Sequence, residues 1–186
     1  MMSAKTSILN AADVLVVVVD PQDKLLKAIS GAEEVVENCV KLIKAAKVLG
    51  AEVILTTQYA EKLGPCTEKI LEAAGDAPVF DKRTFSCMYK EDFAEAVKAS
   101  GRRQIVLCGV ETHVCVSQTA MHLLEAGYDV YVVGDAVSSR TPANKKAGLR
   151  RTRDAGCGTV STEGAIFEMT RDSAAPIFKE ILPIVK

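Results

Sequence analysis

Val14 to Val19 is an unbroken run of six aliphatic residues, and Asp20 and Pro21 follow it directly. An aliphatic run with no polar alternation suits a strand covered on both faces, because a one-sided strand shows a polar residue at every second position. Similar runs return at Glu52–Thr57, Arg103–Gly109, Tyr128–Ala136 and Gly158–Thr162, with a weaker candidate at Pro78–Asp81. Helical patterns fill the intervals. In Glu33–Leu49, Val36, Val40, Ile43 and Val48 recur near helical spacing before Gly50. Cys66–Ala74, Tyr89–Ala99 and His113–Glu125 follow, and Thr141 with Pro142 reads as an N-cap and first helical position. Ser173–Ile184 closes the series, with Pro176 placed in its first turn. Strands alternating with helices predict an α/β fold, a three-layer α/β/α sandwich around a mainly parallel sheet. In such sheets ligands gather at the carboxyl ends of the strands, so the polar residues just after each run matter most.

The 186 residues carry 23 Lys+Arg against 24 Asp+Glu, a net charge of −1. Length and composition predict a single domain over residues 1–186 with a proper core. No cationic excess points to nucleic acid as a partner. The longest apolar run falls well short of the roughly 20 residues that span a bilayer. Met1 to Asp13 has no apolar core of signal-peptide length, so a soluble, cytoplasmic chain is expected. Six cysteines, at 39, 66, 87, 108, 115 and 157, form no Cys-x-x-Cys pair, and two histidines do not complete a zinc set. Most are expected to be buried small hydrophobes, with one a candidate nucleophile.

Asp20, directly after the first run, is placed at the sheet edge as a turn residue or as a general base. The fourth run leads into Gly109-Val110-Glu111-Thr112-His113-Val114-Cys115, a strand, turn and helix that put Cys115 in the first helical turn. Free backbone N–H groups there favour thiolate and can hold a developing oxyanion. Cys108, inside the strand, is expected to be buried and inert. His122 lies two helical turns, about 10 Å, beyond Cys115, and His113 points to another face, so neither is expected to be its base. Lys82, after the weak strand, is a solvated surface cation or a partner of Asp20. Phe85 and Tyr59 are candidate pocket walls, Phe85 alternatively a core residue. Asp135 to Arg140 is read as loop scaffolding. The basic residues Lys145, Lys146, Arg150, Arg151 and Arg153 are read as a solvated helix face or part of a subunit contact.

Asp20 after the first strand, Lys82-Arg83-Thr84-Phe85-Ser86, and Gly-Val-Glu-Thr-His-Val-Cys before a helix together resemble the isochorismatase-like cysteine hydrolase superfamily. Thr57-Gln58-Tyr59, Leu63-Gly64-Pro65 and Asp135 to Arg140 are most similar to its isochorismatase-domain-containing subgroup. The resemblance implies a six-stranded parallel sheet. It also implies a triad of Asp20 as base, Lys82 as its charged partner and Cys115 as nucleophile. A cis Val110–Glu111 peptide would turn the Glu111 amide to share an oxyanion hole with the Cys115 amide. Gln22, Gln58, Tyr59, Phe85 and Thr112 are the expected substrate contacts, and relatives form dimers and larger assemblies, so a homo-oligomer is expected.

Departures from the family narrow the expectation. The nicotinamidase branch holds a metal through histidines after the second strand, and Thr57 to Pro65 contains none. No metal and no cofactor are expected. True isochorismatases lack the nucleophilic cysteine. A metal-independent hydrolase cleaving the C–N bond of a small amide or carbamoyl compound through a Cys acyl-enzyme is therefore the leading expectation. Ether hydrolysis without the thiol, a non-catalytic small-molecule-binding protein and a redox sensor are the alternatives.

Overall fold

A computed structural model describes residues 7–186. Of the Met1 to Asp13 segment used in the signal-peptide argument, Met1 to Thr6 lie outside the described residues. Six parallel strands form one sheet: β1 (Val14–Val19), β2 (Glu52–Gln58), β3 (Val79–Lys82), β4 (Gln104–Val110), β5 (Asp129–Ser138) and β6 (Gly158–Val160). Their spatial order is β3-β2-β1-β4-β5-β6. The chain builds outward from β1 to β3 and then restarts on the other side of β1 with β4. The reversal leaves a crevice between the carboxyl ends of β1 and β4.

All six residues of β1 are fully buried, which explains the absence of alternation in the sequence. Val14, Val16 and Val18 face one helical layer, while Leu15, Val17 and Val19 face the other. The first layer contains α2 (Ala32–Leu49), α4 (Glu68–Ala74), α8 (Thr162–Thr170) and α9 (Phe178–Val185). The second contains α5 (Glu91–Ala99) and α6 (Ser117–Glu125), with α7 (Pro142–Ala155) packed against α6. Two single-turn helices, α1 (Asp23–Leu26) and α3 (Ala60–Leu63), lie just after β1 and β2.

Several boundaries differ from the sequence reading for identifiable reasons. Pro78–Asp81 is a genuine edge strand, shifted to Val79–Lys82, and it carries Lys82 into the sheet. The Gln58 to Pro65 loop contains α3. The sequence reading ends a strand at Thr162 and assigns no element to 163–172, where the structure has α8, capped by the Ser161 hydroxyl accepting from Gly164 N. The last helix starts at Phe178 rather than Ser173, leaving Pro176 before it and Pro183 inside it. Thr141 caps α7 through Asn144 N, with Pro142 opening the helix as expected.

Gly109 decides how closely β4 approaches β1. It sits at φ +104, and a Cβ there would lie 2.1 Å from the Val19 carbonyl oxygen. Only glycine accommodates that approach, which brings the turn after β4 against Asp20. Among the described residues, no helix is long and apolar enough to cross a membrane.

Candidate active site

The chain leaves β1 through Asp20, a buried non-glycine residue in the left-handed region at φ +49. Such a conformation is costly and persists only where neighbours hold it. Thr56 of β2 does this twice. Its Oγ1 accepts from the Asp20 backbone N–H at 3.2 Å and donates to Asp20 Oδ1 at 2.7 Å. The other carboxylate oxygen, Oδ2, accepts from Lys82 Nζ at 2.7 Å. Asp20 and Lys82 are both buried, with side chains 0% and 1% exposed. Lys82 is therefore no surface cation: its second donor goes to Gln58 Oε1 at 2.8 Å.

Cys115 lies across the crevice, 7% exposed, with Sγ 4.0 Å from Gln58 Oε1. The residues carrying it, Thr112–Val116, form a π-helical turn ahead of α6, a feature that recurs at functional sites. The Glu111 carbonyl accepts from both Val114 N and Val116 N. The Val110–Glu111 peptide is cis, as the resemblance implied.

Electrostatics at this thiol run opposite to the expectation of a ready thiolate. Burial pushes the Cys115 thiol up, the Asp20 negative charge pushes it further, and Lys82 only partly offsets them. The direction favours the protonated thiol. Burial alone would lower Lys82, but the Asp20 carboxylate, joined at high pH by the Cys87 and Cys115 thiolates, raises it above its ordinary 10.5. Burial and Asp20 also raise Cys66 to about 12 and Cys87 to about 11. Cys108 is raised well above 9.0 through a hydrogen bond with Cys39 and by burial, in keeping with an inert core thiol.

Both histidines are engaged elsewhere. His113 Nδ1 meets Ser139 Oγ at 3.0 Å, and His122 Nδ1 meets Ser86 Oγ at 2.8 Å. Gln22, an expected substrate contact, is held by main-chain bonds in this structure. It is fully buried, its Nε2 donates to Gln58 O and Gly64 O, and its Oε1 accepts from Gln58 N. With both ends of the amide bonded to backbone, Gln22 shapes the wall that carries Gln58. Tyr59 stands at the rim under the Arg83 guanidinium, which lies 4.0 Å from the ring centroid. Phe85 is 55% exposed, which excludes the core alternative. Thr112 is fully buried, and its hydroxyl finds no hydrogen-bond partner among the described residues.

Sequence reasoning missed Thr56. Its one signal is a hydroxyl residue at a fully covered strand position, immediately before the polar strand end. A buried hydroxyl needs partners, and Asp20 provides them.

The isochorismatase domain model matches residues 14–164. This chain belongs to the isochorismatase family. It is 42% identical over 156 residues to a secreted isochorismatase effector of Phytophthora sojae, covering 82% of this chain and 74% of that protein. It is 37% identical to isochorismatase domain-containing protein 2 of Xenopus laevis, covering 89% and 80%. Among solved structures, the MAR1 ribonuclease of Caenorhabditis elegans superposes at TM-score 0.91 with 32% identity, covering 96% and 92%. YcaC of Escherichia coli, described as an octameric hydrolase of unknown specificity, superposes at 0.86 with 30% identity, covering 94% and 91%. Membership of the isochorismatase family makes hydrolysis the general class of chemistry.

Proposed function

We propose that this family member is a metal-independent cysteine amidohydrolase acting on a small amide or carbamoyl compound. The observation that carries the reading is the buried Asp20–Lys82 pair at 2.7 Å beside a thiol whose protonated form is favoured. A burial-raised thiol next to a carboxylate favours proton transfer during attack over a preformed thiolate. In this scheme Cys115 Sγ attacks the substrate carbonyl carbon as its proton passes to Asp20. The backbone N–H groups of Glu111 and Cys115 hold the tetrahedral oxyanion. Collapse breaks the C–N bond, Asp20 returns the proton to the leaving amine, and a thioester on Cys115 remains. Water attacks that thioester with Asp20 again as base, releasing the acid and restoring the thiol. Lys82 stays charged throughout and balances Asp20 whenever the carboxylate is ionised. Gln58 and the unpartnered Thr112 hydroxyl offer polar contacts to the substrate, and Tyr59 and Phe85 wall the entrance.

The exposed Phe85 and the octameric E. coli relative support a homo-oligomer. Six free thiols support a reducing, cytoplasmic setting, although the P. sojae relative is named as secreted. The test is a screen of small amides, carbamoyl compounds and vinyl ethers, with RNA as a further arm because one structural relative is named a ribonuclease. Cys115→Ala serves as the blank. Amine release with a Cys115 acyl adduct in the mass spectrum is the expected result. Turnover that survives Cys115→Ala overturns the reading in favour of ether hydrolysis or another chemistry.

A further inference from the structure

Glu111 supplies a backbone amide in the proposed mechanism, yet its side chain has a separate and specific engagement. The carboxylate is largely buried, 16% exposed, although it sits at the sheet edge. Its Oε2 accepts from the Arg140 backbone N–H at 2.9 Å and from Arg140 Nε at 3.2 Å. One residue thus holds three elements together. Its amide faces the reaction in the proposed scheme, its carbonyl caps the turn carrying Cys115, and its carboxylate grips the loop after β5.

That loop is a firm anchor. Ser30 N donates to Ser139 O at 3.0 Å, Ser138 Oγ donates to Ser30 O at 2.6 Å, and Thr141 begins α7 immediately afterwards. A second contact from the same region sets the opposite side of the turn. A Cβ on Gly148 of α7 would lie 2.7 Å from His113 N and from the Thr112 carbonyl carbon, so the α7 backbone rests directly on the turn. An exposed ion pair would restrain little, because solvent screens it and long side chains wander. Here the shorter bond goes to a main-chain donor that cannot wander.

We propose that the Glu111 carboxylate is a positioning residue that fixes its own backbone amide for oxyanion binding, by bonding the main chain at Arg140. The inference rests on the Cys115 acyl-enzyme reading above. It assigns the carboxylate no contact with substrate and no proton transfer.

The experiment uses two probes on the full chain, both followed at Cys115 by mass spectrometry. Acylation by p-nitrophenyl acetate passes through a tetrahedral oxyanion, whereas alkylation by iodoacetamide does not. Glu111→Ala is expected to slow acylation about 10- to 100-fold, as a displaced oxyanion donor does, with alkylation within about 2-fold of wild type. Glu111→Gln keeps an oxygen for the Arg140 N–H and is expected to recover most of the acylation rate. Arg140→Ala retains the main-chain donor and should lose less than Glu111→Ala. Unchanged acylation in Glu111→Ala overturns the proposal, and so does an equal fall in both probes, which marks a general structural fault. A wild-type protein whose Cys115 is never acylated removes the acyl-enzyme reading and this inference with it. Acylation that is normal in wild type and in Glu111→Ala removes only the inference.

Discussion

At the amino end of the sheet, a cleft of about 570 Å³ opens between β2, α2 and α5, lined by Lys47, Glu52, Asp76 and Ser100 among others. Lys47 meets the fully exposed Asp76 at 3.7 Å, and the half-exposed Glu52 accepts from Arg102 Nε at 3.1 Å. At the carboxyl end of the same strands, Asp20 and Lys82 meet at 2.7 Å with almost no solvent. The Lys47–Asp76 pair stays in water, and the Asp20–Lys82 pair does not. Solvent screens charges left in water, whereas charges taken out of it must be paired and act on the thiols beside them. Burial of an ion pair beside a thiol, rather than the volume of a cleft, is what singles out the carboxyl end.

Four measurements would break or sharpen that contrast. The largest effect is expected at the thiol, where Cys115→Ala should reduce p-nitrophenyl acetate acylation by at least about 10³-fold. Retained acylation would put the reactive group elsewhere. Next comes Lys82→Met, which strands the Asp20 carboxylate in the interior and should cost about 3–5 kcal/mol in denaturant unfolding. A loss below about 1 kcal/mol, the scale of an exposed pair, would erase the distinction between the two ends. Thr56→Val keeps shape but removes a hydroxyl bonded to the carboxylate, for an expected loss of about 1.5–3 kcal/mol. The smallest effect belongs to the amino end. Glu52→Gln should shift unfolding by less than about 1 kcal/mol and leave Cys115 acylation unchanged.

A fifth prediction follows from the thiols. Burial raises Cys66 and Cys157 from 9.0 to about 12 and Cys87 from 9.0 to about 11, so the native state holds these protons after the unfolded chain has released them. Stability is then flat through this window below about pH 9 and falls as pH climbs above it, because the unfolded state binds fewer protons. The Asp20–Lys82 pair acts in the same direction. Its lysine is raised above 10.5, so its contribution is complete below that value and is lost as pH rises through the higher native one. Thermal unfolding from pH 7 to 10.5 checks this. A midpoint that rises above pH 9 would contradict the burial of these thiols.

Much of the frame was legible in the sequence, for local reasons. Val14 to Val19 reads as a doubly covered strand, and Thr141-Pro142 as the opening of a helix, and both are so in the structure. Asp20 was visible as a polar break at a strand end, and Cys115 as the cysteine of a strand, turn and helix. Lys82 was ambiguous, because a lysine after a weak strand looks the same whether it is solvated or turned into the sheet. Gln22 was ambiguous for a related reason: its amide meets main-chain atoms at Gln58 and Gly64, far along the chain. Helix α8 escaped notice because its Ser161 cap follows a three-residue strand with no turn residues between them.

The sequence by itself determined the alternation of strand and helix, the burial of β1 and the identity of the groups available at the sheet edge. Those follow from hydrophobic periodicity and local caps, which act over a few residues. Tertiary structure alone decided that Lys82 and Thr56 share the two oxygens of Asp20, that Glu111 grips the Arg140 main chain, and that the protonated Cys115 thiol is favoured. Each depends on removing charge from water by elements distant in the chain, and desolvation is a property of the packed molecule rather than of any segment.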